Sequence, residues 1–125
     1  MIKLKRAYEP AGREDGTRFL VERLWPRGVR KAALRLDGWL KGVAPSTELR
    51  QWFGHDPAKW LQFERRYRTE LDRNAAALEP ILKAARRGRV TLIYSSHDEE
   101  HNNAVVLKAY VESRLAGSKR TERAA

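Results

Sequence analysis

Thr17-Arg-Phe-Leu-Val-Glu-Arg-Leu-Trp-Pro-Arg-Gly-Val29 is the stretch on which the fold of this chain turns. Residues 18–22 read as a β-strand that runs without a spacer into a loop carrying Arg23, Trp25, Pro26, Arg27 and Gly28. Phe19, Leu20 and Val21 are consecutive and apolar, which is the pattern of a strand covered on both faces. That implies an α/β fold: a small, mainly parallel sheet flanked by helices, in a single domain. A buried strand that delivers two arginines and an indole into a proline-fixed turn also marks a place to look for a site.

Upstream, Ile2-Lys-Leu-Lys-Arg6 alternates apolar and basic residues, as a strand with one buried face does. Residues 8–16 hold Pro10, Gly12 and Gly16 among charges and read as a surface loop. Downstream, Leu36, Trp39, Leu40 and Val43 fall at i, i+3, i+4 and i+7, so a helix is expected over 36–43 despite Gly38. Ser46 after Pro45 can cap the next helix, which Gly54 should stop. Asp56-Pro57 is a second start signal, and it leads a helix with Trp60, Phe63, Tyr67 and Leu71 on one side. A further helix is expected within 75–87, starting near Leu78 because Pro80 belongs in a first turn. Val90-Thr-Leu-Ile-Tyr94 is the third strand. It empties into a polar loop over 95–103, and a final helix over about 100–115 follows. The domain is expected to span 1–115, with 116–125 as a flexible basic tail.

Against 16 Asp+Glu stand 26 Lys+Arg, a formal charge of +10, and the excess is uneven. Residues 23–36 hold Arg23, Arg27, Arg30, Lys31 and Arg35 with no acid, and Lys83, Arg86, Arg87 and Arg89 form a second acid-free cluster. Such a balance favours anionic partners by long-range attraction. Arg86 and Arg87, however, also suit the negative end of a helix dipole. With 125 residues the chain can bury roughly two-thirds of its unfolded surface without a disulfide or structural metal. No apolar run approaches a membrane span and none has signal-peptide length, so a cytoplasmic protein without a membrane partner is expected.

Ligands of open α/β sheets bind at the carboxyl ends of the strands, so the loops after Glu22 and Tyr94 are the candidate walls of one pocket. Arg23 and Arg27 could grip a phosphate or carboxylate, with Trp25 as an apolar wall, Gly28 allowing the turn and Asn102 orienting the ligand. Asp98 and His101 are the catalytic acid/base candidates. The structural alternative is that Arg23 pairs with Asp98 or Glu99 and that Trp25 is core. His97 and His101, four apart, lack an evident third ligand, and Asp98 and Glu99 suit a helix start, so no metal is expected. Ser95 and Ser96 lack the G-x-S-x-G of a nucleophile elbow.

Arg-Leu-Trp-Pro-Arg-Gly at 23–28, Ala-Pro-Ser at 44–46, Leu-Arg-Gln-Trp-Phe-Gly-His-Asp-Pro at 49–57 and Asp-Glu-Glu-His-Asn-Asn-Ala-Val-Val-Leu at 98–107 carry a resemblance. Over about 2–115 the chain resembles the YeaO-like proteins, a bacterial and archaeal family known only as a domain of unknown function, DUF488. The resemblance implies a small single-domain α/β protein and no established activity or cofactor. The family pattern has Asp where Glu22 stands and Lys where His97 stands; the second departure counts against a shared histidine metal pair. The function expected from the residues is binding of a small anionic ligand, with or without catalysis, between the loops after the second and third strands. The alternative is a nucleic-acid-binding module that uses Arg30, Lys31, Arg35, Arg86, Arg87, Arg89 and the tail.

Overall fold

A computed structural model describes the backbone of residues 1–124 and the side chains of residues 1–117. Four strands, β1 (Ile2–Arg6), β2 (Thr17–Leu20), β3 (Gly38–Trp39) and β4 (Val90–Tyr94), form one sheet in the order β1-β4-β2-β3. Every pairing is parallel: Ile2 faces Val90, Phe19 faces Leu92 and Gly38, and Leu20 faces Ile93 and Trp39. The fold is therefore the parallel α/β domain expected from the run at Phe19. β2 ends at Leu20, yet Val21 N still donates to Ile93 O at 3.1 Å, so the ladder reaches the threshold of the arginine loop.

Side chains alternate across the strands. Ile2, Phe19, Val21, Val90, Leu92 and Tyr94 point to one face, where α2 (Thr47–Phe53), α3 (Trp60–Arg73), α4 (Glu79–Arg87) and α5 (Asn103–Ala124) contribute Phe53, Phe63, Tyr67, Ile81, Leu107 and Val111 to the main core. Phe53, Phe63 and Trp60 stack there, with centroids 4.4 and 5.7 Å from Phe63. The opposite face is covered by residues 24–37, a strap containing only the one-turn helix α1 (Lys31–Leu34). Its apolar core is small: Ala7, Leu20, Leu34 and Ile93, with Trp25, Val29, Leu36 and Trp39 packed against them.

The helix starts follow their caps. Ser46 Oγ accepts from Leu49 N at 3.1 Å, and Gly54 closes α2 in the left-handed conformation at φ 53°. Asp56 accepts from Ala58 N ahead of Pro57, a 3₁₀ turn over Pro57–Lys59 leading into α3. Residues 75–87 divide into a 3₁₀ turn, Ala75–Leu78, and α4, with Pro80 in the first turn.

The helix expected over 36–43 does not form. Leu36 and Trp39 join the strap-side core, whereas Leu40 and Val43 pack on the helical side. One helical stripe cannot serve two faces of a sheet; a strand crossing the sheet edge can, and the segment is β3 followed by a 3₁₀ turn, Lys41–Val43. Gly38 belongs to that strand because a Cβ there would sit 3.1 Å from the Phe19 ring. At the other end, α5 starts at Asn103 and continues past Leu115; most of the tail expected over 116–125 lies outside the described side chains. Among the described residues no helix is long and apolar enough to cross a membrane.

Candidate functional site

β4 is inserted between β1 and β2. The chain leaves β2 outward to β3, but leaves β4 into α5, which packs back over β1 and β4. The connections diverge between β2 and β4, which makes their carboxyl ends the switch point of the sheet. Glu22 occupies that crevice. Its Oε1 accepts from Ser95 N at 3.2 Å, with Ser95 Oγ at 3.5 Å, and Asn103 Nδ2 bridges to Val21 O at 2.7 Å. Burial pushes the Glu22 carboxyl up from its ordinary range, against the pull of the Ser95 groups and of Arg50. Glu22 and Asn103 are thus both tied by hydrogen bonds at the ends of β2 and β4.

The loop after Glu22 sends its residues in different directions. Among the described residues Arg23 forms no ion pair: Nε donates to Pro45 O at 2.8 Å and Nη2 to Ala44 O at 3.4 Å, bracing the segment before α2. Trp25 is half-buried, donates from Nε1 to Val29 O at 2.7 Å, and meets Trp39 edge-on at 5.3 Å. Gly28 takes φ 77°, which closes the turn. Arg27 is exposed, and its backbone carbonyl accepts from Tyr8 Oη at 3.1 Å. Arg6 lies over the Tyr8 ring and donates to Ser96 O at 2.9 Å, with Nη2 3.1 Å from His97 Nδ1. Tyr8 and Arg6 therefore join the arginine loop to the 95–103 loop; the two arginines Arg23 and Arg27 do not share a pocket.

Asp98, His101 and Asn102 do come together, as the lead-in to α5. Asp98 Oδ1 accepts from the backbone N–H of Glu100 and of His101, both at 2.9 Å, while Oδ2 lies 3.0 Å from His101 Nδ1. The backbone N–H groups of His101 and Glu100 hold the Asp98 carboxyl below its ordinary range. Asn102 donates to Asp98 O and accepts from Val105 N, capping the helix. His101 stands edge-on to Trp60 at 5.1 Å. Among the described residues no group of three or more His, Cys, Asp or Glu is placed to hold a metal.

Two features escaped sequence reasoning. The first is Asp15, in the 3₁₀ turn Arg13–Asp15 of a segment that reads as exposed loop. It is fully buried (0 % exposed) and gathers Lys5 at 3.0 Å, Lys3 at 3.7 Å and Arg18, itself 4 % exposed. Burial pushes its carboxyl up, but Gly12 N–H, Lys5 and Arg18 override it and bring the pKa to about 2. The available signal was Arg18 itself, since an arginine in a strand covered on both faces needs a partner. The second is the direction in which the basic segment faces. Val29, Leu34 and Leu36 turn inward, so Arg27, Arg30, Lys31 and Arg35 all stand exposed on its outer side. Arg35 takes φ 45°, ending α1 in the left-handed region. Leu24 (61 % exposed) and Tyr8 (48 %) are exposed apolar neighbours of these cations in sequence or by contact.

These features define a small parallel α/β domain with a hydrogen-bonded carboxyl at its switch point and a basic strap. The chain belongs to the YeaO-like DUF488 family. A family profile described as "Inactive DUF488-N3 subclade" matches residues 1–125. The chain is 39% identical over 112 residues to the uncharacterized protein YeaO of Escherichia coli, covering 90% of this chain and 97% of that one. It is 38% identical over 113 residues to uncharacterized proteins of Mycobacterium bovis and Mycobacterium tuberculosis, covering 90% of this chain and 95% of each. No solved structure matches the chain.

Proposed function

We propose that this protein is a binding module for the phosphodiester backbone of nucleic acid, acting in the cytoplasm and without catalysis of its own. The observation that carries this reading is the strap: Arg27, Arg30, Lys31 and Arg35 are all exposed, and no acid interrupts residues 23–36. Phosphate contacts of this kind supply affinity through counterion release and need no pocket. Tyr8, beside Arg27, adds an aromatic edge to the same surface. The matching family's description as an inactive subclade favours binding over chemistry. So does the engagement of Glu22, Asp98 and His101, which are occupied with Ser95 and with the start of α5.

Fluorescence polarisation of labelled single-stranded RNA and duplex DNA with the full chain tests the reading. Micromolar binding is expected at 50 mM salt. If about four phosphates are neutralised, affinity falls roughly 50- to 150-fold by 200 mM. Charge reversal of all four strap cations should abolish binding while leaving the urea midpoint nearly unchanged, since exposed substitutions usually move stability by about 0.5 kcal/mol or less. No binding at 50 mM salt, or binding that survives the reversal, rules the proposal out.

A further inference from the structure

Arg23 lies on a second, unrelated feature of the molecule. Between the 3₁₀ turn Lys41–Val43 and the last turns of α3 is a cleft of about 280 Å³. It continues, through shared Ser46, Glu70 and Arg73, into a larger one of about 470 Å³ between α2 and α3. The smaller cleft has one acid in its lining, Glu70, and that carboxylate is committed: Oε1 accepts from Ser46 N at 2.8 Å and Oε2 from Ser46 Oγ at 2.6 Å. Tyr67 is committed too, donating to Val43 O, and Asn74 Nδ2 donates to Gly42 O at 3.0 Å.

The arginines are in a different condition. Among the described residues Arg23 bonds only to the neutral carbonyls of Ala44 and Pro45. Arg73, exposed at the end of α3, has no carboxylate within 4.0 Å among the described residues. Two arginines therefore line one concave space against a single carboxylate, Glu70, and among the described residues neither forms an ion pair. A guanidinium fork with unspent N–H groups is matched by a small oxyanion, and two of them can hold it from different sides. The cleft volume lies at the lower limit of small-molecule pockets, which restricts the occupant to a few heavy atoms beyond the anionic group.

We propose that this cleft binds a small organic oxyanion, the phosphate monoester or carboxylate of a short polyol-sized metabolite, with Arg23 and Arg73 as the anion holders. The site is on the helical side of the sheet and uses none of the strap cations, so it stands or falls separately from nucleic-acid binding.

Thermal shift and isothermal titration on the full chain, at matched ionic strength, test it with glycerol 3-phosphate, succinate and neutral glycerol. Saturable stabilisation by one of the two anions and none by glycerol is expected; which anion responds assigns the phosphate or the carboxylate. Arg73→Ala, an exposed change, should leave the unliganded Tm nearly unchanged and weaken that binding by about tenfold or more. Arg23→Lys keeps the charge but loses the fork and should weaken it similarly, with circular dichroism confirming the fold. Reversal of Arg30 and Lys31 should have no effect. No saturable shift with either anion, or a shift that Arg73→Ala leaves intact, overturns the proposal.

Discussion

The two faces of the sheet are stabilised by different physics. On the helical face, strand residues such as Phe19, Leu92 and Tyr94 belong to one apolar cluster, and four helices close over them. On the strap face β1 and β2 present Lys3, Lys5 and Arg18, and the turn Arg13–Asp15 brings Asp15 to meet them; the apolar core there has four buried residues. The helical face therefore draws on burial of apolar area, which is non-directional and tolerant of small shifts. The strap face depends on one carboxylate surrounded by cations, an arrangement that fails sharply when one partner is lost. Among the described residues Arg18 Nη2 is buried without a hydrogen-bond partner, so even with Asp15 in place the guanidinium is incompletely satisfied.

The largest effect should come from that carboxylate. Asp15→Ala leaves Arg18 and Lys5 without their counterion in a buried layer and is expected to cost roughly 3–5 kcal/mol in urea denaturation. Adding Arg18→Met to Asp15→Ala should restore most of the loss, because the pair is then replaced by apolar volume. A double variant as unstable as the single one would mean that the strap face is not organised around the ion pairs.

A mid-sized effect is expected in the pH dependence of stability. The Asp15 carboxyl is lowered from 3.8 to about 2 in the folded protein, so the unfolded chain takes up the proton first. Its contribution, about 2 kcal/mol, is complete above pH 3.8 and disappears as the pH falls through about 2. Asp15→Asn, measured by urea denaturation at pH 5 and pH 2.5, should flatten that part of the curve; an unchanged slope would assign the acid lability to other groups.

The smallest effect has the opposite sign. Burial raises the Glu22 carboxyl, so the folded state holds that proton more tightly than the unfolded chain, and stability falls as the pH rises from 4.5 through the folded value. Glu22→Gln, which still offers an oxygen to Ser95 N, should raise Tm at pH 7 and make little difference at pH 4. A loss of stability at pH 7 would show that the charged carboxylate is what the switch point requires.

The difference between the faces also explains what could be read in advance. The helical face was legible because its signals are local: the caps at Ser46 and Asp56, the stop at Gly54 and the stripe from Trp60 to Leu71 each act within a few residues. The strap face was not. Leu36, Trp39, Leu40 and Val43 carry helical spacing, but they are shared between two cores that meet only after folding. Asp15 sits among Gly and charged residues that look like any surface loop, and its burial depends on Lys5, Arg18 and Thr91, the last bonding its carbonyl from 76 residues away. Within the candidate site, the sequence places Asp98, His101 and Asn102 next to one another, and they hydrogen-bond at the start of α5. It also put Arg23 and Arg27 side by side, and the turn through Trp25, Pro26 and Gly28 separates them.

The sequence by itself determined the parallel α/β class, three of the four strands, the helix boundaries set by caps and the basic character of the segment after β2, because each follows from short-range periodicity, capping or composition. Only the tertiary structure decided which face of the sheet each strand residue serves, that Asp15 neutralises the buried cations, and that Arg23 and Arg27 part company, because those outcomes depend on which distant segments are packed against one another.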